Sequence, residues 1–158
     1  MRRVLITGGG TGIGRAIAWA FAKNGDAVTI AGRQIDVLHT AAEGHNITCV
    51  KADVTDEGDI QGMFQSPFDI VVANAGWGSS GKTAKLSLVD WNATIAANLT
   101  STFLTFREAL RSDPLSSRLI AIASTASLKG NATVPAYTAA KHGVLGLVRS
   151  IALDVAKK

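Results

Sequence analysis

The sequence predicts an α/β protein built on a doubly wound parallel sheet, and three observations carry that prediction. Five short apolar runs rich in β-branched residues recur along the chain, helix-like segments separate them, and a glycine cluster joins the first run to the first helix. Near-continuous apolar strands read as buried on both faces. Strands that alternate with helices imply parallel pairing, with helices on both faces of the sheet. A chain of 158 residues, 47% hydrophobic and 18% charged, can bury the core that such a sheet needs. With no low-complexity linker and no repeat beyond the βα alternation, residues 1–158 form one expected domain.

The elements follow in order. The first strand is Val4–Thr7 (VLIT), and it runs into the loop Thr7-Gly-Gly-Gly-Thr-Gly-Ile-Gly14, which opens a helix over Gly12–Asn24 with an apolar face. The second strand is Ala27–Ala31 (AVTIA), followed by a helix over Ile35–Glu43; the third is Ile47–Val50 (ITCV), followed by a helix over Asp56–Phe64. The fourth strand is Asp69–Ala73 (DIVVA). A long helix spans Ser87–Arg111, and its opening Ser87-Leu-Val-Asp90 has the spacing of an N-terminal capping arrangement. The fifth strand is Arg118–Ala123 (RLIAIA), and a last helix covers Pro135–Lys157, apolar on most of its circumference.

Composition excludes several classes of function. The net charge of +4 comes from scattered basic residues, with only Arg2-Arg3 and Lys157-Lys158 adjacent, so no nucleic-acid-binding face emerges. Cys49 is the single cysteine, which rules out an internal disulfide and a Cys-rich metal site, and no metal centre is expected. A reduced, cytoplasmic setting fits. No apolar run reaches bilayer length, and no signal-like segment precedes the first strand, so no membrane partner is expected.

Two glycine loops compete for a phosphate-binding role. Residues 7–14 form a strand, glycine turn and helix N-terminus. Absent Cβ atoms there let backbone approach a pyrophosphate, and free helix N–H groups favour negative charge. The spacing is G-x-x-x-G-x-G rather than the general G-x-G-x-x-G. The second loop, Gly76–Thr83 (GWGSSGKT), fits the triphosphate-binding pattern G-x-x-x-x-G-K-[ST] at every specified position. That role needs the Lys and Thr to begin a helix, and an acidic strand end nearby to hold magnesium. Here the helix starts at Ser87 instead, and the neighbouring strands end in Asn74 and Ser124. Lys82 and Thr83 are therefore expected in a loop with no phosphate role.

After the fifth strand stand Ser124 and then Tyr137-Thr-Ala-Ala-Lys141, where Tyr and Lys share one helix face. A tyrosine ordinarily titrates near pH ~10, and a nearby ammonium favours the phenolate, so the pair makes a tuned acid or base. In order along the chain, TGGGTGIG, Ala52-Asp53-Val54, Asn74-Ala75-Gly76, Asn98, Ser124 and Tyr137-x-x-x-Lys141 resemble the short-chain dehydrogenase/reductase family, from residue 4 to the last residue. The resemblance implies a Rossmann-like sheet with strand order 3-2-1-4-5 in this stretch, lacking the family's last strands.

The resemblance also implies roles. Tyr137 would protonate a substrate carbonyl oxygen or take the alcohol proton, and Ser124 would hydrogen-bond that oxygen. Lys141 would assist Tyr137 and hold the nicotinamide ribose, and Asn98 would hold a relay water. Gly8, Gly10, Thr11, Gly12, Ile13 and Gly14 would take the pyrophosphate side; Asp53 and Val54 would face the adenine; Asn74, Ala75 and Gly76 would pass beneath the cofactor. Blander roles stay open: Ser124 as a strand-end cap, Asn98 as a mid-helix polar residue, and Asn74 as a turn former.

An acidic residue ending the second strand would bind a ribose 2′-hydroxyl and repel a 2′-phosphate. This chain has Ala31-Gly32-Arg33 there, and the planar fork of Arg33 pairs with phosphate, so NADP(H) is favoured over NAD(H). Arg15 is either a helper or a solvated first-turn residue. The expected activity is interconversion of a ketone or 3-oxoacyl-type carbonyl and a secondary alcohol, by a homo-oligomer acting on a small molecule. Family members continue through two more strands, so the chain reads as a portion of a longer dehydrogenase, a short form completed by a partner, or a non-catalytic dinucleotide-binding module. The filled catalytic positions favour the first.

Overall fold

The computed structural model describes residues 1–112 and 118–156. Five parallel strands form one sheet in the order β3-β2-β1-β4-β5: β1 Arg3–Thr7, β2 Ala27–Gly32, β3 Ile47–Lys51, β4 Ile70–Ala73 and β5 Arg118–Ala121. The central strand β1 pairs Val4, Leu5 and Ile6 with β2 on one side and β4 on the other. All three side chains are fully buried. Alternation sends Val4 and Ile6 into a core with Ala18 and Leu38, while Leu5 joins Ile60, Val71 and Leu104 on the other face.

The helices are α1 Gly12–Lys23, α2 Ile35–Ala42, α3 Glu57–Met63, α4 Leu88–Ile95, α5 Ser101–Ser112 and α6 Pro135–Val155. Local chemistry sets their ends. The Asp56 side chain accepts from the Asp59 N–H to open α3, and the Ser87 hydroxyl accepts from the Asp90 N–H to open α4. Pro135 starts α6 where its missing N–H costs nothing. Arg107 on α5 pairs with Glu57 on α3 and, at 3.0 Å, with Glu108. Among the described residues no helix is long and apolar enough to cross a membrane.

Three expectations are corrected. The helix over Ser87–Arg111 is divided: α4 gives way to a π turn at Ala96–Thr100 before α5 runs to Ser112. Here Ser101, Thr102 and Thr105 turn their hydroxyls back to carbonyls four residues earlier, each at 2.8 Å, which lets polar side chains sit buried beside the sheet. The fifth strand stops at Ala121 rather than Ala123, and neither it nor β3 is buried on both faces; Ile120 is 41% exposed. Both are edge strands, which the helices cover least. The last helix ends at Val155, and Lys157 lies outside the described residues. Its first half packs on α4, the π turn and the turn at Thr125–Ser127, while Leu153 is exposed.

The GWGSSGKT segment is loop, as expected for Lys82. Thr83 begins a single 3-10 turn, Thr83–Lys85, and α4 starts only after Ser87. Lys82 and Thr83 are both exposed.

Candidate functional site

Parallel strands leave their carboxyl ends on one edge of the sheet, and all five ends here border a single cavity of about 450 Å³. Gly8 follows β1, Gly32 ends β2, Ala52 follows β3, Asn74 follows β4 and Ile122 follows β5, and each lines it.

The junction of β1 and α1 is pressed hard against the end of β4. Gly8 has φ of +67°, and a side chain there would meet Ala75 Cα at 2.9 Å. A Cβ on Gly14 would lie 2.3 Å from the Gly8 oxygen and 2.4 Å from Asn74 Nδ2. Asn74 stitches the two together: its Nδ2 donates to the Thr7 and Gly8 carbonyls at 3.0 and 3.2 Å, while Thr7 Oγ1 accepts from the backbone N–H groups of Asn74 and Ala75. Thr11 caps α1 without a side-chain hydrogen bond, and Thr11, Gly12 and Ile13 at this glycine-opened helix N-terminus line the cavity.

At the β2 and β3 ends, Arg33 and Asp53 stand on the lining with Val54 and Thr55. The Asp53 carboxylate accepts from the Thr55 N–H at 2.9 Å and from its hydroxyl at 2.7 Å. The Thr55 N–H bond is the main cause that holds its pKa below the usual carboxylate value; the hydroxyl bond and the Arg33 charge act in the same direction, and burial opposes them.

Tyr137 and Lys141, one turn apart on α6, form the opposite wall. Lys141 is only 5% exposed; its ammonium donates to the Ile122 carbonyl at 2.8 Å and lies 5.6 Å from the centre of the Tyr137 ring. Burial pushes its pKa below that of an ordinary lysine. Asn98, at the centre of the π turn, is fully buried; its Nδ2 donates to the Thr94 carbonyl at 2.9 Å and to the Trp77 carbonyl. Its Oδ1 has no partner, and a side chain on Gly76 would sit 2.5 Å from it.

The cavity thus brings together Gly8, Thr11, Gly12, Ile13, Arg33, Asp53, Val54, Asn74, Ala75, Gly76, Asn98, Tyr137 and Lys141. Gly10, Gly14 and Ser124 fall outside its lining. Gly10 is buried under Val37 and Leu38 of α2, and Gly14 serves the β1–α1–β4 contact. Ser124 caps the turn Thr125–Ser127, its hydroxyl accepting from the Ala126 N–H at 3.1 Å, which leaves its proton free to donate. Arg15 lies over the Trp19 ring at 4.9 Å, away from the lining.

Trp77, Thr55, Ile122 and Ala123 line the cavity without having been singled out in the sequence. Thr55 carried a readable signal, since Asp followed two residues on by Thr is an Asx turn in waiting. Ile122 contributes a backbone carbonyl, which no residue type announces.

A family model described as short chain dehydrogenase matches residues 2–158. The chain belongs to the short-chain dehydrogenase/reductase family. Members of this family are oxidoreductases acting on CH–OH and C=O groups. The chain is 34% identical to the (2S)-[(R)-hydroxy(phenyl)methyl]succinyl-CoA dehydrogenase subunit BbsD of Thauera aromatica, over 99% of this chain and 68% of that protein. It is 32% identical to a 3-oxoacyl-[acyl-carrier-protein] reductase of Mus musculus, over 97% and 69%. Among solved short-chain dehydrogenase/reductase structures, a variant of actinorhodin polyketide ketoreductase crystallised with NADPH superposes with a TM-score of 0.93 at 29% identity, over 98% of this chain and 65% of that one. The chain spans about two thirds of the length of these relatives.

Proposed function

We propose that the protein is an NADP(H)-dependent oxidoreductase that interconverts a ketone or 3-oxoacyl-type carbonyl and a secondary alcohol. The observation that carries the reading is the meeting of Tyr137, Lys141 and Asn98 with the glycine-rich β1–α1 junction in one cavity.

The residues present fit a dinucleotide. Gly8 and Gly76 let the loops after β1 and β4 close onto Ala75 and Asn98 where a Cβ would clash, the α1 N-terminus offers its orphan N–H groups to a pyrophosphate, and the Asn98 Oδ1 is a buried acceptor without a donor. Gly8, Thr11, Gly12 and Ile13 would hold the pyrophosphate, Asp53 and Val54 the adenosine end, and Asn74, Ala75 and Gly76 the nicotinamide side. Arg33 on the rim supports a 2′-phosphate and hence NADP(H). When bound, the nicotinamide supplies or accepts a hydride at the substrate carbon.

The chain's own residues handle the proton and the developing charge. The Tyr137 hydroxyl would donate its proton to the carbonyl oxygen during reduction and accept it back during oxidation. Ser124, with its hydroxyl proton free, would donate to the same oxygen as negative charge builds there. Lys141, held in place by the Ile122 carbonyl, would present its ammonium to the ribose and to the phenol. Asn98 would fix the Trp77 backbone and take a water on its open Oδ1, linking Lys141 to solvent.

We place the protein in the cytoplasm as a homo-oligomer; the exposed Leu88, Val89 and Trp91 of α4 and Phe103 of α5 support association. The test is Tyr137→Phe. Carbonyl-dependent NADPH oxidation across a ketone and 3-oxoacyl thioester panel is expected to fall about 100- to 10,000-fold, with the NADPH dissociation constant unchanged. Turnover that survives in the variant sinks the proposal.

A further inference from the structure

The GWGSSGKT segment matches a phosphate loop, yet its Lys82 and Thr83 are exposed and off the cavity. Its glycines have another contact. A Cβ built on Gly78 would lie 3.0 Å from Cδ2, 3.1 Å from Cβ and 3.3 Å from Cγ of Tyr137. Carbon pairs prefer about 3.5–4.0 Å, so a side chain at Gly78 would crowd the base of the tyrosine ring, which would have to give by a few tenths of an ångström.

The segment is pinned on both sides of that contact. Before it, the Trp77 carbonyl accepts from Asn98 Nδ2. After it, the Gly81 N–H donates to the Thr133 carbonyl at 2.6 Å, which ties the loop to the approach of α6. Thr133 has φ of +63°, the only positive φ at a non-glycine residue among those described. A β-branched residue holds that conformation only where its surroundings impose it. Tyr137 itself is partly exposed, so core packing alone does not fix its ring.

We propose that residues 77–81 are a positioning clamp on Tyr137, with Gly78 the residue that sets where the phenol stands. The inference rests on the proposed role of Tyr137 as acid and base. Gly78 acts through the tyrosine: a shift of a few tenths of an ångström at the ring base is levered outward to the hydroxyl, and a misplacement of about 1 Å can cost on the order of 100-fold in rate.

Tyr137 is the only tyrosine in the chain, so ring-labelled tyrosine gives one set of NMR signals that reports on it without any need for turnover. Gly78→Ala is compared with Gly130→Ala, a second glycine with nothing within 4 Å of its added Cβ. Gly78→Ala is expected to move or double the tyrosine signals and to lower kcat on the order of 100-fold, with KM for the carbonyl and the NADPH dissociation constant held within about threefold. Gly130→Ala should reproduce the parent in every readout. Thr133→Pro cannot keep its φ at +63°. It withdraws the carbonyl that holds Gly81 and should move the same signals, so the idea stays testable if Gly78→Ala does not fold. Tyrosine signals and kcat that match the parent in both clamp variants overturn the inference, as does an equal loss in Gly130→Ala. Turnover that survives Tyr137→Phe overturns the proposed function instead and leaves the NMR result to judge the contact alone.

Discussion

The proposed preference for NADP(H) rests on Arg33, and Arg33→Asp tests it. The residue follows β2, is exposed, and stands on the cavity lining close enough to Asp53 to lower that carboxyl's pKa. A charge-assisted hydrogen bond is worth about 1.5–3 kcal/mol, and solvent exposure puts this one at the lower end. A carboxylate in its place adds about 1 kcal/mol of repulsion toward a 2′-phosphate at short range in water. The sum, about 2–3 kcal/mol, corresponds to roughly 30- to 150-fold in affinity. The assay is a fluorescence titration of NADPH and NADH against parent and variant, at low and high salt, and it needs no turnover. NADPH affinity should fall by that factor, NADH affinity should hold or rise because a carboxylate accepts from a 2′-hydroxyl, and the salt dependence of NADPH binding should shrink. Equal affinity of the parent for both cofactors, or an unchanged ratio in the variant, refutes the reasoning.

Two further outcomes are expected. Gly14→Ala drives a methyl to 2.3 Å from the Gly8 oxygen, a backbone atom that cannot swing away, so the cost should reach the upper end of overpacking, about 3 kcal/mol. That lowers Tm by roughly 6–12 °C in a thermal melt; a fall under roughly 2 °C would show that the β1–α1–β4 contact is looser than drawn. Lys141 has a folded-state pKa below its ordinary 10.5 because burial disfavours the ammonium. Between the lowered value and 10.5 the unfolded chain binds a proton that the folded chain has released, so this residue makes stability rise with pH through that window; below it the full penalty applies. Lys141→Met should flatten the rise, seen as the difference between parent and variant denaturation midpoints across the alkaline range, and parallel curves would refute it.

Strand and helix positions were legible because β1 and β4 are buried on both faces and carry unbroken apolar runs, while the ends of α3 and α4 are written in Asp56 and Ser87. The π turn was not legible. It adds one residue to a helical turn without changing residue character, so Ala96–Thr100 reads as ordinary amphipathic helix although Asn98 stands at its centre. The half-exposed β3 and β5 depend on strand order, which local pattern does not contain. Within the site, Tyr137, Lys141 and Arg33 were singled out by side-chain chemistry and Asn98 only by the family resemblance, and all four line the cavity. The Ile122 and Trp77 carbonyls that hold Lys141 and Asn98 were not readable, since every residue owns a carbonyl and only the fold chooses which ones face inward.

Those backbone contacts show why site and fold are hard to separate here. Thr7 and Asn74 join the ends of β1 and β4; Lys141 joins α6 to the end of β5; Asn98 joins the π turn to the loop after β4. Each buried polar side chain meets its own hydrogen-bonding need by fixing two chain segments to one another, and the fixed segments are the cavity wall. Side chains held at both ends in this way are the kind of support that lets electrostatic groups act with little reorganisation. Asn98 differs from the rest in keeping one buried acceptor unmet. Thr94 Oγ1, Ser79 Oγ and Thr138 Oγ1 are likewise buried without a partner, but of these four residues only Asn98 lines the cavity, so its Oδ1 is the unmet acceptor set at the cavity wall.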